Sequence, residues 1–143
     1  MSDDTSPPFE WVVEAGKIAE FAHAVLNSSD AHQGPDAIAS PTFPQSMALW
    51  RARAPRPTSG TGRGGLDMRR VLHGEQEFEY VRPLRAGDVL TTTVHVKDRY
   101  EKEGKRGGTM IFIVSETVFR DRSGEIVAYS RGTTIQTSKA ATS

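Results

Sequence analysis

A histidine beside a carboxylate is the simplest proton-handling unit a chain can carry, and one stands here at Leu72-His73-Gly74-Glu75. An imidazole that titrates near neutrality takes a proton from water or a hydroxyl when a carboxylate orients it. The same residues at the head of a strand can instead make a structural hydrogen bond, and the position of His73 favours that second role. His23, His32 and His95 fall at no metal-ligand spacing. With no cysteine in the chain there is neither a thiolate metal site nor a disulfide frame, and no metal or cofactor is expected.

Arginine offers a different chemistry. Between residues 51 and 70, Arg51, Arg53, Arg56, Arg63, Arg69 and Arg70 stand against Asp67, a balance of +5. Residues 1–37 hold seven acids against Lys17, a balance of −6, so the net charge of zero hides a polar division. A basic segment among Gly and Pro can meet phosphates or an acidic protein surface, or simply be solvated. Arg63, Arg69 and Arg70 are the candidates, with Lys102, Lys105 and Arg106 as rivals ahead of Gly107-Gly108. No G-x-x-x-x-G-K-[ST] motif accompanies the glycines at 60–65, so these read as flexibility. Aromatic residues are not interleaved with the arginines, which argues against nucleic acid.

The elements that must position these groups follow from periodicity. Residues 1–8, with Pro7-Pro8, read as an extended and flexible N-terminus, and Phe9 to Val13 as a short strand. Ile18, Phe21, Ala22, Val25 and Leu26 recur at helical spacing, and Asn27-Ser28-Ser29-Asp30 stops that helix. A second helix starts at Thr42, where Thr42 and Gln45 match a capping box and Pro44 sits in the first turn. Met47, Leu49 and Trp50 make it apolar, and Pro55 ends it.

From Leu72 the period becomes two. Phe78 and Tyr80 alternate with Glu77 and Glu79, and Leu90, Thr92, Val94 and Val96 with their polar neighbours. Met110 to Phe119 is apolar on both faces, as a central strand is, and Asp121 to Glu125 is a hairpin turn. Ile126 to Ile135 forms the last strand, and residues 138–143 are a flexible tail. The organisation is a single α+β domain over residues 9–137, a helix packed on an antiparallel meander. A chain of 143 residues with 36% apolar residues can bury one core. No apolar run reaches the ~20 residues that span a bilayer, and the polar, acidic start is unlike a secretory signal. A cytoplasmic location and no membrane partner are expected.

The order and spacing of several segments carry a resemblance over Val12 to Ile135. These are the Ile18-Phe21-Ala22 helix, Pro41-Thr42-Phe43-Pro44, Leu72-His73-Gly74-Glu75-Gln76 and Arg82-Pro83-Leu84-Arg85-Ala86-Gly87-Asp88. Glu101-Lys102 with Gly107-Gly108, Glu116-Thr117, and Asp121 with Gly124-Glu125-Ile126-Val127-Ala128 complete the set. Together they resemble the N-terminal, non-catalytic half of MaoC-like dehydratases, and the chain is similar to the substrate-binding subunit of mycobacterial (3R)-hydroxyacyl-ACP dehydratases. The resemblance implies a single hot-dog fold, an antiparallel sheet wrapped around the Thr42 helix. It implies that the N-terminus of this helix faces an acyl thioester, so that Pro41, Thr42, Phe43, Met47 and Trp50 surround the substrate. As apolar residues at helical spacing, Phe43, Met47 and Trp50 are equally read as core.

The active half of that family carries an Asp and a His separated by four residues. Five positions past each aspartate of this chain stand Pro8, Phe9, Pro35, Pro41, Leu72, Thr93, Glu103 and Ile126, with no histidine among them. The expectation is therefore an acyl-tunnel-forming subunit of an (R)-specific enoyl-thioester hydratase or 3-hydroxyacyl-thioester dehydratase, inactive alone, with acyl-CoA or acyl-ACP as substrate. The Asp/His pair would come from a MaoC-like partner, and a homo- or heterodimer or larger assembly is expected. Two alternatives stay open: a homodimeric acyl-thioester or other small-ligand binding protein without catalysis, and a hot-dog thioesterase using Glu75 or Glu79.

Overall fold

The computed structural model describes residues 5–51, 66–105 and 108–138. Five antiparallel strands form one sheet: β1 (Phe9–Val12), β2 (Val71–Tyr80), β3 (Val89–Glu103), β4 (Thr109–Arg120) and β5 (Ile126–Gln136). Their order is β1-β3-β4-β5-β2, so the segment apolar on both faces, β4, is the middle strand as its pattern predicts. Helix α1 (Ala15–Ala24) and a 3₁₀ turn (Phe43–Ser46) running into α2 (Met47–Arg51) cover one face. This is the α+β hot-dog expected from the sequence.

Residues paired across antiparallel strands share a face. The row Tyr80–Ala128–Phe119–Thr92–Phe9 therefore lies on one side of the sheet, across β2, β5, β4, β3 and β1. Phe119, Ala128, Leu90 and Trp11 of this face pack with Ile18 of α1 and with Phe43 and Met47 to form the core. Phe43 is its centre. It stacks on Trp11 with ring centroids 5.4 Å apart and meets Phe21 edge-on at 5.6 Å.

Several boundaries differ from expectation. The second helix opens as a 3₁₀ turn, and Thr42 makes no side-chain capping bond, so the Thr42/Gln45 box is not formed. Pro44 and the burial of Phe43 impose the tighter turn. Helix α1 ends at Ala24 through two bonds, Leu26 N–H to His23 O and Asn27 N–H to Ala22 O, with Leu26 in the left-handed region at φ 59°. Ser6 is buried, and its N–H donates to Val94 O while its Oγ accepts from Val94 N–H. Strand-like pairing thus reaches three residues before Phe9. Strand β3 runs on to Glu103, so Lys102 lies in a strand and not in the connecting loop.

The segment Arg82 to Asp88 is a brace. Arg82 forks onto Asp88 at 2.8 and 3.1 Å, and Asp88 Oδ2 also accepts from Arg85 N–H. Gly87, at φ +90°, supplies the left-handed residue the turn requires. The loop is then stitched on both sides: Gly87 N–H donates to Val13 O, Val13 N–H to Asp88 O, Ala86 N–H to Ala37 O, and Ala39 N–H to Leu84 O. Leu84 fills the core at its centre. No helix among the described residues is long and apolar enough to cross a membrane.

Candidate functional site

The turn Pro41–Ser46 divides into a buried and an open half. Phe43, Pro44 and Met47 are buried, whereas Pro41 and Thr42 are exposed. Tyr80 fixes the turn to the sheet, its hydroxyl donating to Pro41 O at 2.5 Å. Burial pushes the Tyr80 phenol up to about 12, so the donor keeps its proton at neutral pH. The Trp50 side chain and Arg63 lie outside the described residues.

Beside this turn the helix-bearing face continues past the core row. The next row is Phe78–Ser130–Thr117–Val94, and beyond it Gln76–Gly132–Ser115–Val96. All eight residues are half-buried. Ser115, Ser130 and Gly132 form a low floor between the taller Phe78 and Gln76 on β2 and Val94 and Val96 on β3. Gln76 Nε2 donates to Ser130 Oγ at 2.8 Å, and a Cβ on Gly132 would stand 3.2 Å from Gln76 Oε1. These small polar residues escaped the sequence reading. Their signal was the alternation of Ser115 and Thr117 with Val114 and Val118 on a strand otherwise apolar on both sides.

The structure does not bring His73 and Glu75 together. His73 points to the helix-bearing face and contacts Gln76 Oε1 at 3.3 Å. A bulge at Gly74 turns Glu75 to the other face, because His73 pairs with Thr134 but Glu75 with Thr133. The adjacency of His73 and Glu75 in sequence is thus undone by the backbone. A Cβ on Gly74 would lie 2.6 Å from Ile135 Cδ1, which is why glycine occupies the bulge. His32 is buried, with Nδ1 at 2.6 Å from Ile38 O and Nε2 at 2.9 Å from Asn27 Nδ2. Asn27 donates, so the neutral tautomer with its proton on Nδ1 satisfies both contacts. His23 is exposed on α1.

His95 is half-buried on the outer face with Nε2 at 3.3 Å from Glu116 Oε1. It closes an ionic ladder across four strands: Glu77, Arg131, Glu116 and His95 pair in register. Arg131 binds Glu116 and Glu77, and reaches Glu79 at 2.7 Å. Lys97, two residues past His95 on β3, lies on the same face, 2.7 Å from Glu116. Burial alone would raise the Glu116 carboxyl, but the hydrogen bonds from Lys97 and Arg131 outweigh it and hold the group below its ordinary value. Among the described residues this is the one His–carboxylate contact, and it lies on the face away from the helices. Glu75 and Glu79 share that outer face.

The basic candidates are separated. Arg69 folds back on Asp67 at 3.0 Å, and its side-chain and backbone donors hold that carboxyl down to about 2. Arg70 pairs with the same Asp67 and donates to Ser138 O. Lys102 lies over the Tyr100 and Phe112 rings, about 5 Å from each centroid, on the outer face. Among the described residues no cluster of side chains could hold a metal ion.

Residues 4–130 match the family described as FAS1-like, dehydratase domain region. The UPF0336 protein of Saccharopolyspora erythraea is 37% identical over 105 residues, which make up 69% of this chain and 66% of that protein. The aligned segment therefore spans a little under two thirds of that relative. Among solved structures, the ChsH1-ChsH2 complex from Mycobacterium tuberculosis matches with a TM-score of 0.77 at 18% identity, covering 96% of this chain and 86% of that one. The HadBC (3R-hydroxyacyl-ACP dehydratase) complex from the same organism matches at 0.68 and 19%, covering 92% of each chain. At such identities the structural likeness carries the fold. Matched along nearly its whole length and built as the MaoC-like dehydratases are built, this chain belongs to the FAS1-like dehydratase-region family.

Proposed function

We propose that this chain is the non-catalytic, acyl-tunnel-forming subunit of an (R)-specific enoyl-thioester hydratase or 3-hydroxyacyl-thioester dehydratase. Adding water across an enoyl thioester needs a base for the water and an acid for the α-carbon, both within hydrogen-bond reach of one substrate. One observation carries the reading: among the described residues, His73 on the helix-bearing face meets Gln76 and no carboxylate, while His95 and Glu116 meet on the opposite face. A MaoC-like partner supplies the missing Asp/His pair, and such a partner joins at a sheet edge unpaired among the described residues. The acyl chain of the substrate lies on the half-buried rows beside the Pro41–Ser46 turn. Pro41 and Thr42 flank its entrance, and the Trp50 side chain and Arg63 are candidates for its wall and for its phosphates.

The test is co-expression with a MaoC-like protein from the same host, followed by hydration of crotonyl-CoA. The heteromer is expected to be active and this chain alone inactive. Dehydration of a 3-hydroxyacyl thioester by the isolated chain at enzyme-like rates overturns the proposal. Tight, unchanged acyl-CoA binding by the lone protein, with no partner able to confer turnover, favours a binding protein instead.

A further inference from the structure

Among the described residues the distal half of β3 is an open edge, and it carries an ordered charge pattern. Strand β1 covers β3 only from Val89 to Thr92, and Ser6 extends that cover to Val94. Beyond Val94, among the described residues, β3 pairs with β4 alone. The exposed stretch reads Asp98-Arg99-Tyr100-Glu101-Lys102, and its signs invert about Tyr100. Among the described residues Asp98, Arg99, Glu101 and Lys102 make no ion pair within the chain, although the neighbouring Lys97 is committed to Glu116. Charges on an edge strand often serve only to repel other edges. Inverted signs do the opposite for one geometry, antiparallel pairing of the edge with its own copy.

We infer that a second copy of this chain adds to β3 antiparallel, about a two-fold axis through Tyr100, to continue the sheet. In that register Asp98 stands opposite Lys102 of the second copy on the outer face, and Arg99 opposite Glu101 on the helix-bearing face. Symmetry doubles each pair, giving four complementary contacts across the junction. Sliding the register by two residues either way sets Arg99 against Arg99 or Glu101 against Glu101, so the alignment is specified. Tyr100, already stacked on Phe112 with centroids 4.9 Å apart, meets its symmetry mate at the axis and lengthens the aromatic stack. The arrangement leaves the β2 edge free for an unlike subunit, and it stands whichever reaction the family fold serves here.

Charge reversal with the full chain tests it. Arg99→Glu and Glu101→Arg each turn two attractive pairs repulsive, and neither removes a bond within the chain among the described residues. Mass is measured by light scattering and sedimentation at equal concentration, with circular dichroism as the folding control. Each variant is expected to lose one association step, weakening it about tenfold or more. An equimolar mixture of the two variants regains the wild-type mass. In the mixed pair one copy carries glutamate at both positions 99 and 101 and the other carries arginine at both, so every contact across the junction is again between opposite charges. Single variants that keep the wild-type mass overturn the inference, as does a mixture that stays small.

Discussion

Replacing Arg131 with methionine is the sharpest probe of how this sheet holds together. The guanidinium is 16% exposed and binds three carboxylates, of which Glu116 is 8% exposed while Glu77 and Glu79 are each 54% exposed. A hydrogen bond to a charged group out of water contributes about 1.5–3 kcal/mol, so the Glu116 contact dominates. The two exposed pairs are screened and add a few tenths of a kcal/mol each, on the order found for surface ion pairs. Lys97 stays on Glu116 at 2.7 Å, which keeps the loss below the roughly 3–5 kcal/mol of a fully orphaned buried charge. The expected cost is therefore about 2–3 kcal/mol. With an unfolding entropy of about 2.1 cal/mol/K per residue, a chain of this length loses roughly 7–10 °C in Tm. Thermal and urea unfolding at neutral pH and low salt read this directly. The double variant Glu116→Gln/Arg131→Met should recover about half the loss, since a neutral pair avoids the buried charge. A single variant within about 0.5 kcal/mol of wild type, the scatter of ordinary surface changes, or a double variant whose loss is the plain sum of the singles, refutes the ladder as a stabilising unit.

Other expectations follow from the same physics. Because the folded Glu116 carboxyl lies below its ordinary 4.5, its contribution is complete above that pH and is lost as pH falls through the lower folded value; urea midpoints measured down the acid range should drop less in Glu116→Gln. Leu26 is 91% exposed at φ 59°, so Leu26→Gly removes left-handed strain without losing packing and should raise stability by about 1 kcal/mol in urea titration. Gly74→Ala drives a methyl against Ile135 and should cost about 1–3 kcal/mol by thermal melting, the range for overpacking. Tyr80→Phe frees the Pro41 carbonyl and should cost about 1 kcal/mol, while spectrophotometric titration of the wild type should find a tyrosine ionising near 12.

The elements were largely legible because each has one dominant period. Alternation of Leu90, Thr92, Val94 and Val96 declares β3, and the doubly apolar run from Met110 declares β4, since only a middle strand is covered on both sides. What periodicity could not deliver were places where the period breaks. A bulge shifts the face of every later residue by one, so the Gly74 bulge parted His73 from Glu75, and the β3 bulge put Asp98, Tyr100 and Lys102 on the outer face. The Thr42/Gln45 box failed for a different reason: the Phe43 ring is drawn under Trp11 and Phe21, and the backbone tightens into a 3₁₀ turn that a capping box does not fit. Tertiary packing overrode a local signal worth about 1 kcal/mol.

The segment Arg82 to Asp88 spends its backbone bonds on β1, on Val127 and on residues 37–39. Its Arg82 and Asp88 are spent on each other, Gly87 on a left-handed turn, and Leu84 on the core. Such a brace ties together β1 and the segment 37–39, which come from distant parts of the chain, and adds to the pairing of β1 with β3. A signature of this kind reports which fold is built and says nothing of which chemistry is done. Beside the Pro41–Ser46 turn the helix-bearing face offers the hydroxyls of Ser115, Thr117 and Ser130, the Gln76 amide bonded to Ser130, and the His73 imidazole. Among the described residues the one histidine–carboxylate contact, His95 with Glu116, lies on the outer face, whereas His73 on the helix-bearing face meets the Gln76 amide.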